Sequence, residues 1–192
     1  MRRTLSALLI PAALALPHMA QAGELTDLAA QVEALQAAGD DAGAVAAARD
    51  LFAKTWDATT GLAIGETALI VEPASGYGIY NPRPDDKFKL DEPVLIYAEP
   101  IGFGYGTPGE GLYSIGFFVD LKVMNDAGEV LGDLQNVTEL DLTSRYQNRE
   151  FQANLTYNLT GIPAGCYTLQ TTLRDKNSAK IGSFETSVEF VE

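Results

Sequence analysis

Between residues 24 and 56 apolar side chains recur at helical spacing: Leu25, Leu28, Val32 and Leu35, then Val45, Ala48, Phe52 and Trp56. Steps of three and four place each set on one helical stripe, and the alanine-rich background favours helix. Gly39 is placed to stop the first helix, and Asp40 or Asp41 to cap the second. The pattern predicts a two-helix hairpin within residues 23–60. No second copy follows, which excludes a repeat array.

From about Gly65 the period drops to two. Tyr113, Ile115, Phe117, Val119, Leu121 and Val123 alternate with Ser114, Gly116, Asp120 and Lys122, and only Phe118 interrupts the polar side. Phe151, Ala153, Leu155, Tyr157 and Leu159 repeat the alternation, as do Tyr167, Leu169, Thr171 and Leu173, and finally Phe184, Thr186, Val188 and Phe190. Such spacing predicts strands with one buried face. Asn125-Asp126-Ala127-Gly128 and Asp175-Lys176-Asn177-Ser178 supply turn chemistry between them. Thr67–Glu72 and Pro93–Ala98 are earlier strand candidates. Short strands without intervening helices predict a mainly β protein, an antiparallel β-sandwich over 61–192.

One segment narrows the class. Residues 157–175, YNLTGIPAGCYTLQTTLRD, resemble the penultimate-strand region of immunoglobulin-like and fibronectin type III-like domains, in which a Leu-x-x-Leu-Pro-x-Gly-like lead-in precedes a tyrosine and an alternating strand. The resemblance implies an immunoglobulin-like β-sandwich and a tyrosine-corner role for Tyr167, its hydroxyl bonded back to nearby backbone. Leu169 stands where an immunoglobulin cysteine would be, and Trp56 lies in the helical segment.

The first 22 residues, MRRTLSALLIPAALALPHMAQA, run from a basic start through an apolar centre to Ala20-x-Ala22. That order predicts a signal peptide cut after Ala22 and delivery to a bacterial periplasm. No later run approaches the ~20 apolar residues of a membrane span, so no membrane insertion is expected. The chain carries 26 Asp and Glu against 13 Lys and Arg, a formal charge of −13. That balance repels nucleic acid. Cys166 is the sole cysteine; it excludes an internal disulfide, and a lone thiol in an oxidising compartment is expected to be buried.

His18 is the only histidine and falls within the expected signal segment. Its removal excludes Ser-His-Asp and Cys-His catalysis and histidine metal ligation. Gly104, Gly106 and Gly109 match G-x-G-x-x-G, but a strand pattern follows them where a dinucleotide site needs a helix. No cofactor is expected. Asp85-Asp86 or Asp91-Glu92 could take calcium loosely, although no D-x-D-x-D-G loop is present. Two carboxylates facing a cleft would give a glycan hydrolase, with Glu99 and Asp120 the best pair.

The remaining feature is aromatic. Tyr77 and Tyr80 lie in a glycine-rich stretch before Asn81-Pro82-Arg83-Pro84, and Phe103 and Tyr105 lie in a second one. Glycine permits close backbone approach, and tyrosine offers a flat face with a polar edge. The reading favoured is a non-enzymatic periplasmic binding module that meets a protein or glycan through these four rings. The alternatives are the carboxylate-dependent hydrolase and a structural envelope or secretion-accessory subunit.

Overall fold

A computed structural model describes residues 23–192; the expected signal segment lies outside them. The described residues divide into two compact units that part between Leu51 and Phe52. Helix α1 is Glu24–Ala37 and α2 is Asp41–Asp57. Gly39 sits at φ 75° between them, a left-handed conformation that favours glycine. The Asp40 carboxylate accepts from the Gly43 amide at 2.9 Å, satisfying a donor left free at the helix start.

The apolar stripe expected on α2 is displaced. Val45 and Phe52 are exposed, whereas Ala44, Ala47 and Trp56 are buried. Alanine carries little hydrophobic weight, so the larger residues dominated the pattern although the small ones occupy the close-packed line. Phe52 is partly accounted for by an edge contact with Trp56 and by Arg149, whose guanidinium lies 5.4 Å from its ring centre.

The strands are β1 (Ala63–Leu69), β2 (Lys87–Lys89), β3 (Val94–Ile101), β4 (Gly106–Gly109), β5 (Leu112–Asn125), β6 (Val130–Ser144), β7 (Ala153–Tyr157), β8 (Gly165–Asp175) and β9 (Ile181–Val191). One sheet runs β1-β3-β7. The other runs β2-β9-β8-β5, with β4 and β6 both pairing β5. Ser114 pairs Gly106 of β4 and Thr143 of β6, so those two strands lie on opposite edges of β5. The protein is mainly β, two helices followed by antiparallel sheets in a sandwich-like arrangement. One pairing departs from this: β2 runs parallel to β9.

The core lies between the sheets. Val94, Ile96 and Ala98 of β3 and Ala153, Leu155 and Tyr157 of β7 meet Phe117, Val119, Leu121, Leu169 and Leu173 of β5 and β8. These are the alternating positions of the sequence pattern. Tyr157 and Thr171 share a hydrogen bond of 2.9 Å inside this core, which offsets the cost of burying two hydroxyls. Phe118, the apolar residue on the polar side of β5, is covered by cations: Arg174 stands 5.3 Å and Lys176 4.9 Å from its ring centre.

Candidate binding surface

The outer face of the β1-β3-β7 sheet is covered by the connection from β1 to β2. Ile70 and Ala74 are buried there with Tyr97 of β3, and Ala68, Tyr80 and Leu95 pack around them. Two side chains fix the connection. Asn154 of β7 accepts from the Ala74 amide at 2.8 Å and donates to the Ala74 carbonyl at 3.1 Å. The Tyr97 hydroxyl accepts from the Gly78 amide at 2.7 Å and donates to Glu99 at 2.5 Å. Gly78 has φ 68°, so the turn that brings its amide to Tyr97 favours glycine.

Tyr80 stacks on Tyr97 with ring centres 4.3 Å apart. Its other surroundings leave it half-buried, as is Tyr77. Burial, followed by the Glu99 carboxylate, raises the Tyr77 hydroxyl above its ordinary pKa. Burial pushes Tyr97 up to about 12, aided by the same carboxylate. Both phenols therefore stay neutral at physiological pH and can donate hydrogen bonds. Ile79, between the two half-buried tyrosines, is 63% exposed. A cleft of about 280 Å³ opens here, lined by Glu72, Pro73, Ser75, Ile79, Tyr80 and Asn81. Asn81 donates to Glu72 at 2.7 Å across its rim. The cleft combines an apolar wall, a ring and several donors and acceptors, the mixture that small-molecule and glycan sites use.

The second pair of rings follows β3. Phe103 is only 1% exposed. It meets Trp56, Tyr105, Phe117 and Phe151 edge-on, and its carbonyl accepts from the Trp56 indole N–H at 2.8 Å. The expectation that Phe103 offers a contact face is corrected: β3 ends by turning inward at Gly102, φ 86°, so its ring enters the core. Tyr105 is half-buried, bonds the Asn148 carbonyl at 2.8 Å and is pushed by burial to about 12. No ring contact among the described residues joins Phe103 or Tyr105 to Tyr77 or Tyr80, and burial takes Phe103 off any surface that the other three could form. Tyr167, at the start of β8, donates to the Pro163 carbonyl at 2.9 Å.

The carboxylates do not converge. Glu99 alternates with the core residue Ala98 on β3, and Asp120 lies between Val119 and Leu121 on β5. They therefore occupy outer faces of different sheets, which removes the acid–base pair. Asp120 accepts two hydrogen bonds from Arg174, at 2.7 and 3.1 Å, which hold its carboxyl below the usual range. Arg83 reaches Glu92 at 2.8 Å and Asp85 at 3.5 Å. Among the described residues no group of three or more His, Cys, Asp or Glu side chains is placed to hold a metal ion. Cys166 is exposed, not buried: it falls on the opposite side of the strand from Tyr167 and Leu169. Of the Glu72–Asn81 cleft, the glycine-rich aromatic stretch marks Tyr80, whereas Glu72, Pro73 and Ser75 lie in an irregular segment without a sequence signal.

No protein-family model and no curated protein sequence matches the chain. Among solved structures it is similar to the sporulation control protein Spo0M of Bacillus subtilis, with a TM-score of 0.38, 12% identity, and coverage of 70% of this chain and 51% of that one. It is similar to a family 123 glycoside hydrolase from Clostridium perfringens at a TM-score of 0.34 and 10% identity, covering 69% of this chain and 27% of that one. A CARDB domain from Pyrococcus furiosus gives 0.29 and 12% identity, covering 70% and 95%. The chain thus spans about half the length of the first of these.

Proposed function

We propose that this protein is a non-enzymatic periplasmic binding module built on an immunoglobulin-like or fibronectin type III-like sandwich. Strand order supports the subfamily. A first, third and seventh strand in one sheet, and a ninth, eighth, fifth and sixth in the other, correspond to the A-B-E and G-F-C strands of that architecture with one strand added beside C. The Tyr167 hydroxyl bonded four residues back to Pro163 fits the tyrosine corner.

The observation that carries the binding reading is the cleft at Tyr80. Its exposed Ile79 sits in a segment fixed at both ends, by Asn154 and by Tyr97. An exposed apolar side chain on a pre-ordered turn costs little entropy to bind. A protein or glycan would place an apolar or ring face on Ile79 and Tyr80 and hydroxyls or amides against Glu72, Ser75 and Asn81. Amide NMR titration with soluble peptidoglycan fragments, neutral oligosaccharides and extended peptides tests this. A ligand that perturbs Ser75–Asn81, and is lost in Ile79→Asp and Tyr80→Ala, is the expected result. A panel that leaves those amides unmoved overturns the reading. N-terminal sequencing of the protein from a periplasmic fraction tests the location, with Gly23 the expected first residue.

A further inference from the structure

A different surface, independent of the Tyr80 cleft, is formed by β6. This strand of 15 residues pairs β5 along one side and no other strand among the described residues. Its other edge is therefore an open row of backbone donors and acceptors, a template for a further strand. From Thr138 to Ser144 the register to β5 is unbroken, which gives that edge a regular stretch of seven positions.

The two faces of this stretch differ. On the core side, Leu140 pairs Phe117 and Leu142 pairs Ile115. Those β5 partners are buried, yet Leu142 is 37% exposed. The smaller sheet ends at β7, which pairs β3 alone. A cleft of about 260 Å³ is lined by Leu140, Asp141, Leu142, Phe151, Gln152 and Asn154. On the outer side, Glu139 pairs Phe118 and Asp141 pairs Gly116. Their side chains are 55% and 66% exposed and share a single cation, Lys176, at 2.7 and 2.8 Å. The row keeps a net negative charge.

This combination selects its occupant. A second copy of the same edge would bring acidic row against acidic row, and like charges placed opposite each other in a sheet destabilise it. A bulge with Asn136 at φ 54° interrupts the strand just before Thr138, which confines pairing to the seven positions. We infer that Thr138–Ser144 is a strand-addition site for an extended segment of a partner polypeptide in which apolar and basic residues alternate. Its apolar side chains enter the cleft beside Leu140, Leu142 and Phe151, its basic ones meet Glu139 and Asp141, and the main chain pairs the open edge.

The probe is an end-blocked peptide of alternating valine and lysine, titrated into the full chain at low salt while amide exchange is followed. Controls are the valine–glutamate version and a peptide of identical composition with alternation broken. The expected result is slowed exchange confined to Thr138–Ser144 with the alternating basic peptide, at least tenfold weaker binding to Leu142→Asp, and a reversed preference for the glutamate peptide in Glu139→Lys/Asp141→Lys. Leu142 is partly exposed, so its variant is expected to keep its melting temperature within a few degrees. Equal binding of the broken-alternation peptide would reduce the effect to charge alone and overturn the inference. So would protection at β7 instead, no protection at all, or dimerisation through β6 without peptide.

Discussion

Tyr157 and Thr171 show how much a single buried pair contributes. Each hydroxyl satisfies the other inside an apolar core. Removing one leaves its partner unpaired, which costs about 1–3 kcal/mol. Tyr157→Phe and Thr171→Val are each expected to lower unfolding free energy by roughly that amount. The double variant should cost clearly less than their sum, and urea denaturation of the cycle measures it. Burial also pushes the Tyr157 phenol to about 12, against about 10 in the unfolded chain. A raised pKa contributes stability that is complete below pH 10 and is lost as pH rises toward 12. Alkaline unfolding should therefore steepen across that interval, and less so in Tyr157→Phe.

At the scale of elements, the β6 bulge depends on charge. The Asn136 amide donates to Asp120 at 2.8 Å, while Arg174 donates to Asp120 and to the Asn136 side chain at 2.6 Å. Arg174→Gln is expected to lower stability only slightly, because the pair is partly solvated, and to speed amide exchange around Asn136. Asp120 is depressed chiefly by Arg174. Its contribution is present above the unfolded value near 4 and is lost as pH falls through the lower folded value. Asp120→Asn should abolish that acid-induced loosening of β6 in exchange measurements. What the sequence makes legible follows from burial. Strands β5, β7, β8 and β9 have one face in the core, so their side chains alternate and their positions are readable. Strand β6 is largely exposed on both faces, so no sustained alternation marks it. Strand β2 has three residues and takes its register from a partner far along the chain. Glycines around Phe103 suggested an exposed loop, although the same glycines let the chain turn its ring inward. The Tyr80 cleft depends on side chains from an irregular segment meeting β3 and β7, which no local period encodes.

For the molecule as a whole, the chain approaches itself closely at Gly182 of β9. A methyl group there would clash with the Leu62 carbonyl oxygen just before β1, where the Leu62 amide also donates to the Ile181 carbonyl at 3.3 Å. Backbone cannot yield as a side chain can. Gly182→Ala is therefore expected to destabilise the fold by about 1–3 kcal/mol, read as a lower denaturation midpoint with an unchanged slope. An unchanged midpoint would mean that this approach is looser than it looks.

The parallel pairing of β2 with β9 also sets a schedule for the ribosome. Lys87 and Glu189, joined at 2.6 Å, are 102 positions apart, so the strand that shields Phe88 is translated long after it. Until residues 181–191 emerge, an early strand waits with its apolar side uncovered, and closing so long a loop is slow. Chains that stop short would stay open and invite aggregation or proteolysis. Emergence of β9 is thereby built in as the signal for β2 to fold.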